Sequence, residues 1–255
     1  MQKVVAKKKF GQNFLKDESV LFKIIESMPK NDNVIAEIGP GLGDLTKKLV
    51  DVKSVEAFEV DTDLCKHLNV AFKDEIKTSA FTLHCGDVLN VWQSELLDRK
   101  YDLVANLPYY IATNIILKAL ADPNCEHLLV MIQKEVAEKF AASNGEKAFG
   151  ALSVIAQSIA TAKIVVVVPP TAFDPAPKVD SAVLLLSKTA SRSDEKFENF
   201  LKVAFTQPRK TLLKNLSAHY GKELLKEIFE KMELLLTIRP HQLSTSDYHQ
   251  LYKYL

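Results

Sequence analysis

Residues 34–45 read Val34-Ile35-Ala36-Glu37-Ile38-Gly39-Pro40-Gly41-Leu42-Gly43-Asp44-Leu45, and this stretch decides the fold. Its first five residues are apolar or β-branched apart from one acid, as in a strand buried on both faces. Three glycines at alternate positions follow, and Leu45-Thr46-Lys47-Lys48-Leu49-Val50 then carries helical periodicity. A strand, a glycine-rich turn and a helix in that order bring backbone close to a ligand, because glycine has no Cβ and tolerates positive φ. The next apolar run, Val55-Glu56-Ala57-Phe58, ends in Glu59-Val60-Asp61. Glu59 lies 20 residues after Gly39, a spacing that suits a carboxylate accepting two ribose hydroxyls.

The glycines run Gly-x-Gly-x-Gly, with no third glycine at position 44, so the dinucleotide fingerprint is not met. The spacing favours a nucleoside ligand whose amino-acid tail lies over the loop. The Gly-Lys-Ser/Thr ending of a P-loop is missing, which argues against an NTPase. A third run, Phe81-Thr82-Leu83-His84-Cys85, leads into Gly86-Asp87, where an aspartate can accept from an adenine amine. A fourth, Tyr101-Asp102-Leu103-Val104-Ala105, leads into Asn106-Leu107-Pro108-Tyr109. Asn106 can accept a hydrogen bond from an N–H. Pro108 fixes φ and lets nearby carbonyls face a site. Tyr109 offers a stacking face for a base. In an open α/β sheet ligands bind at the carboxyl ends of strands. Four successive strand ends supplying Gly39, Glu59, Asp87 and Asn106 therefore predict one two-ligand site. Taken singly, each residue has a plainer reading: a tight turn, a helix N-cap, a core or rim aromatic.

Further motifs carry a resemblance. Phe10-Gly11-Gln12-Asn13-Phe14-Leu15 opens it, and the glycine loop and Asn106–Tyr109 continue it. Gln133-Lys134-Glu135-Val136 and Gly150-Ala151-Leu152-Ser153 follow, then the proline-rich Val168-Pro169-Pro170-Thr171-Ala172-Phe173-Asp174-Pro175-Ala176-Pro177-Lys178-Val179-Asp180-Ser181. From about residue 8 to the C-terminus the chain resembles the KsgA-type 16S ribosomal RNA adenine dimethyltransferases. The resemblance implies an α/β, Rossmann-like class I methyltransferase sheet with helices on both faces, and S-adenosyl-L-methionine as methyl donor. It implies that Asn13 and Leu15 line the methionine end and that Gly39 and Gly41 approach the amino-acid tail. Glu59 takes the ribose, Asp87 reads the adenine amine, and Asn106 lies between donor and target. Asn106, Leu107, Pro108, Tyr109 and Phe173 form the catalytic set, with Phe173 closing the base pocket against Tyr109. The implied reaction is transfer of methyl groups to N6 of two adjacent adenines in a hairpin near the 3′ end of 16S rRNA, dimethylating each.

The rest of the chain bounds this reading. Its 255 residues, 47% hydrophobic, allow one large or two unequal domains with a sizeable core. The division is expected near Lys188–Asp194, giving a methyltransferase domain over 1–189 and a small all-helical domain over 190–255. In that second part Phe197, Phe200, Leu201, Ala204, Leu212, Leu216, Leu224, Leu225, Ile228 and Phe229 recur at helical spacing. No apolar run approaches the ~18 residues of a membrane span, and no signal peptide is recognisable, so a cytoplasmic location is expected. Cys65, Cys85 and Cys125 are expected as buried thiols, without disulfide or zinc site, and the six histidines form no cluster.

Net charge is only +1, so RNA contact must depend on local density of cations. Lys7-Lys8-Lys9 and Arg209, Lys210 and Lys214 are the two candidate patches. The expected partner is 16S rRNA within the 30S subunit or its precursor, bound by a monomer that touches no membrane. Against the family pattern, Tyr110 stands where asparagine usually follows the tetrapeptide, and Pro208 replaces an arginine. Arg239-Pro240-His241-Gln242-Leu243-Ser244 is a looser version of a family motif. Three rivals stand beside this reading: an Erm-type 23S ribosomal RNA adenine methyltransferase, a DNA adenine methyltransferase (which more often shows Asp-Pro-Pro-Tyr), and a catalytically silent small-subunit assembly factor.

Overall fold

The computed structural model describes Lys7, residues 11–190 and residues 195–255. Its strands are β1 (Phe14–Leu15), β2 (Val34–Ile38), β3 (Val55–Glu59), β4 (Phe81–Cys85), β5 (Tyr101–Asn106), β6 (Cys125–Gln133), β7 (Ala160–Val168), β8 (Phe173–Asp174) and β9 (Ser181–Lys188). Seven of them form one sheet in the order β4-β3-β2-β5-β6-β9-β7. Strands β2 to β6 pair in parallel, and β9 runs antiparallel to β6. The succession starts at β2, with β3 and β4 on one side and β5 and β6 on the other. The crevice between β2 and β5 is therefore the switch point where an open α/β sheet binds its ligand. β1 and β8 pair separately, Leu15 opposite Phe173.

The connecting helices are α1 (Glu18–Glu26), α2 (Asp44–Val50), α3 (Thr62–Ala71), α4 (Lys73–Lys77), α5 (Val88–Val91), α6 (Ala112–Ala121), α7 (Lys134–Ala141) and α8 (Ala151–Gln157). Asp17, Asp61 and Asp87 cap α1, α3 and α5, each accepting hydrogen bonds from amides of the first turn. α2 starts differently. Gly43 is its N-cap at φ 88°, with no side-chain cap. A Cβ there would fall 2.5 Å from the Phe72 ring, so the third glycine is required by backbone conformation and by helix packing together. The core between sheet and helices holds Leu21, Ile24, Ile35, Leu49, Leu68, Phe81, Val104 and Val183.

Cys65 and Cys85 depart from expectation. They are joined as a disulfide, with Cα atoms 6.1 Å apart, and Cys85 is exposed. The 20-residue separation hides a juxtaposition: α3 folds back from β3 to β4, setting the start of the helix against the end of β4. Cys125 is the buried free thiol. Among the described residues no helix is long and apolar enough to cross a membrane.

The chain divides into two compact units, residues 1–137 with 163–188, and residues 138–162 with 189–255. Residues 138–159 thus group with the C-terminal segment, where the expected division gave them to the sheet domain, and Ala160–Ala162, counted with the same unit, already begin β7. The second unit holds α8 and four further helices, α9 (Glu195–Ala204), α10 (Leu212–Leu216), α11 (Lys222–Lys231) and α12 (Thr245–Lys253). Phe197, Phe200, Leu201, Leu216, Phe229, Tyr248 and Leu251 fill its core. Tyr248 Oη donates to the Pro240 carbonyl at 2.7 Å, and Asn215 Nδ2 donates to the Ala204 and Gln207 carbonyls. Leu224, placed by periodicity on the buried face, is 45% exposed. Its neighbour Leu225 takes the core position instead.

Candidate functional site

A cavity opens at the carboxyl ends of β2, β3, β4 and β5. Asn13 and Leu15, Gly39 and Gly41, Glu59, Asp87, and Asn106 to Tyr109 all line it. The candidates for both ligands, spread over nearly a hundred residues, are thereby brought together, apart from Phe173. Gly39 at φ 71° and Gly41 at φ 63° make the floor. The Gly41 Cβ position lies 3.0 Å from the Phe14 ring, so a side chain there would displace the N-terminal segment.

Two acids of unequal character sit beneath the loop. Glu59 is 4% exposed, and its carboxylate accepts from the amides of Gly41 at 3.2 Å and Asp61 at 2.9 Å. Burial raises its pKa above the ordinary value, and those amide bonds pull it back down. Each oxygen keeps a lone pair for a ribose hydroxyl. Glu37 also lines the cavity, although reading the sequence assigned it no role. It accepts from Thr46 Oγ1 at 2.7 Å, and burial pushes it up to about 8. Its single acid inside an otherwise apolar strand was the available signal.

The N-terminal segment is strapped across the site by Asp61, itself buried. Lys7 Nζ donates to Asp61 at 2.6 Å and to Asp63 at 2.7 Å, and Gln12 Nε2 donates to Asp61 at 3.1 Å. Burial alone would raise the Asp61 pKa. The Lys7 ammonium, the Asp63 amide and Gln12 outweigh it and hold the carboxyl below its usual value. Lys7, expected in an RNA-binding patch, is therefore engaged with two carboxylates here, and Lys8 and Lys9 lie outside the described residues. The sequence reading passed over the Asp61–Gln12 tie, because nothing local in either residue connects position 12 with position 61.

Asn106 and Tyr109 are each held by one partner. Asn106 Nδ2 donates to the Asn13 carbonyl at 3.0 Å, which leaves Oδ1 available as an acceptor. Tyr109 Oη is 2.6 Å from Ser181 Oγ, and burial raises the phenol pKa against the opposing pull of that bond. Ser181 is fully buried at the head of β9. Asp87 is both things that it was weighed as: it caps α5, accepting from the Leu89 amide at 3.0 Å, and it lines the cavity. Phe173 is not among the lining residues. It is 6% exposed and sits in β8 opposite Leu15. In the second unit, Arg209, Lys210 and Lys214 are exposed on and beside the turn between α9 and α10, which the Lys210 amide closes onto the Gln207 carbonyl at 2.9 Å.

Comparison with known proteins agrees on the kind of molecule. The sequence signature described as "Ribosomal RNA adenine dimethylase" matches residues 4–255. Ribosomal RNA small subunit methyltransferase A of Sulfurimonas denitrificans is 70% identical, over 99% of this chain and 95% of that one. The protein of the same name from Aliarcobacter butzleri is 52% identical, over 99% and 97%. Among solved structures, a dimethyladenosine transferase from Plasmodium falciparum superposes with a TM-score of 0.77 at 24% identity, covering 93% of this chain and 95% of that one. The 23S rRNA methyltransferase ErmE superposes at 0.75 with 23% identity, covering 95% and 99%. At those identities the likeness is one of fold.

Proposed function

The chain belongs to the ribosomal RNA adenine dimethylase family, and we infer that it transfers methyl groups from S-adenosyl-L-methionine to N6 of two adjacent adenines in a hairpin near the 3′ end of 16S rRNA, dimethylating each. The observation that carries the reading is the single cavity that Glu59, Asp87 and Asn106 line together. Relatives at 70% and 52% identity that are named for the small subunit favour this substrate over 23S rRNA.

The residues present fit the donor. Gly39 and Gly41 leave room for its amino-acid tail, Glu59 offers two acceptors to its ribose, and Asp87 offers one to its adenine amine. When bound, S-adenosyl-L-methionine supplies a methyl group already activated by the sulfonium charge. The chain's part is to make the target nitrogen nucleophilic and to aim it. The N6 lone pair is delocalised into the adenine ring. Asn106 Oδ1 accepting one N6–H, and a backbone carbonyl accepting the other, favour a pyramidal nitrogen whose lone pair is free. The Pro108 carbonyl already accepts from the Ile111 amide at 3.2 Å, which favours the Leu107 carbonyl for that second bond. No base is needed at the nitrogen, since alkylation makes it acidic enough to release its proton to water. Alignment and fixed dipoles carry the rate. The adenine must be unstacked to enter, and Tyr109, pinned by Ser181, is the face against which it stacks. Phe173 does not line the cavity; paired with Leu15 through β8 and β1, it backs the segment that does.

Arg209, Lys210 and Lys214 are assigned to RNA phosphates, on the strength of their exposure and shared turn, and residues 190–255 to contact with the small subunit or its precursor. A role in small-subunit assembly is compatible with catalysis in the same particle. The test is transfer of labelled methyl groups to small subunits lacking the modification, with mass spectrometry of the RNA. Two dimethylated adjacent adenines are expected. Label in 23S RNA, or in neither particle, overturns the reading.

A further inference from the structure

Tyr110 follows the Asn106–Tyr109 turn and stands where the family pattern has an amide side chain. It is 63% exposed, yet it lines the cavity together with Glu59, Gly86, Asp87 and Leu89. Burial, with the carboxylates of Asp87 and Glu59 adding to it, holds its phenol above the usual pKa. It also meets the N-terminal segment. A Cβ on Gly11 would lie 3.5 Å from Tyr110 Cδ1, and Gly11 has φ +60°. A residue other than glycine would strain the strap where it passes over the ring. The strap is itself tied to Asp61 by Gln12. Tyr110 therefore lines the cavity beside the strap, in company with the two acids and largely open to water.

We propose that Tyr110 is a donor-binding residue, a lid whose ring covers the adenosine half of the methyl donor and is held over it by the Gly11–Asn13 strap. The inference rests on the reading of this cavity as the donor site. Tyr109 and Tyr110 thus divide the work. Tyr109, held by buried Ser181, faces the target base, and Tyr110, held by the strap, faces the nucleoside of the donor. Losing a stacked aromatic is expected to weaken donor binding by roughly tenfold, mainly through faster release.

The experiment is calorimetric titration of the full chain with S-adenosyl-L-methionine and with S-adenosyl-L-homocysteine. Tyr110→Ala is expected to weaken both by the same factor of about ten, because both carry the same adenosine, while the KM for small subunits stays within about twofold. Tyr110→Phe is expected to restore binding. If Tyr110→Ala binds the donor as the native protein does, the lid assignment is wrong. A larger loss for the methionine compound than for the homocysteine compound would put the ring at the sulfonium and overturn the adenosine assignment. A raised KM for RNA with unchanged donor affinity would give the ring to the target strand. Should Tyr110→Ala lower thermal stability, Tyr110→Leu decides: it keeps bulk without a flat face, and native affinity in it sinks the proposal. Native protein that binds neither compound refutes the donor site itself, and the lid with it.

Discussion

The proposed donor half and the proposed base half of the cavity are built by different rules. Gly39, Glu59 and Asp87 each lie at or just beyond the end of a parallel strand, in the connection to the next helix. One local pattern, repeated along the chain, places all three. The base half has no such rule. Tyr109 leaves β5 and is held by Ser181 at the head of β9, 72 residues later. The donor half is a property of the sheet, and the base half is a property of how the chain returns to the sheet. Damage to one should leave the other intact, with Asn106 as the joint between them.

Asn106 is where separation of the halves is tested hardest. Asn106→Ala removes the acceptor for N6–H and is expected to lower kcat by about 10²–10³-fold, the size seen when one preorganised transition-state hydrogen bond is lost. Donor affinity should change little, because the Nδ2 bond to Asn13 is a single contact of a strap also held by Asp61. Single-turnover rates with donor titrations check this. Equal losses in rate and affinity would make Asn106 a donor ligand and abolish the joint. On the donor side, Glu59→Gln keeps the shape and removes the charge that accepts from ribose. Charge-assisted hydrogen bonds contribute about 1.5–3 kcal/mol each, so the donor Kd should rise by roughly 10- to 100-fold, with kcat at saturating donor near native. A fall in kcat at saturation would show that the acids reach across to the base half.

The same contrast explains what could be read in advance. β2 to β5 were legible because buried parallel strands are short apolar runs and their ends carry glycines and acids at fixed offsets. The strap was half legible: the motif at Gly11–Leu15 was visible, but its attachment to Asp61 joins side chains 49 residues apart. The Cys65–Cys85 pair was missed for a similar reason, since spacing does not reveal that α3 returns its first turn to the end of β4. Residues 138–159 were assigned to the sheet unit because strands and helices still alternate there, and packing decides otherwise. Phe173 was given to the base pocket by the family resemblance; in the structure it is buried in β8 opposite Leu15 and does not line the cavity.

Ser181→Ala sharpens the base half. It leaves the Tyr109 hydroxyl without its partner, a loss of about 1 kcal/mol, and kcat/KM for small subunits should fall roughly fivefold while donor affinity holds. Tyr109→Phe should cost about the same, and the double variant no more than either, because both remove one bond. Additive losses would mean that Ser181 supports β9 and not the ring.

The smallest effect on transfer concerns a residue on the donor side that takes no part in it. Glu37 is buried, with a pKa of about 8 against an ordinary carboxyl near 4.5. The folded protein holds that proton more tightly than the unfolded chain does. Its contribution to stability is therefore complete below about pH 4.5 and is lost as pH rises through about 8. Glu37→Gln keeps a neutral side chain of the same shape at every pH. Without donor, the two proteins should melt close together near pH 5, and the variant should gain on the native protein by roughly 10 °C toward pH 9, at about 1.4 kcal/mol for each of the roughly three pH steps between the ordinary and the raised value and roughly 2–4 °C per kcal/mol for a chain near this size. A constant difference across that range would mean that Glu37 stays ionised beneath the glycine loop. The floor of the donor half would then carry two negative charges, Glu37 and Glu59, where burial favours one neutral acid.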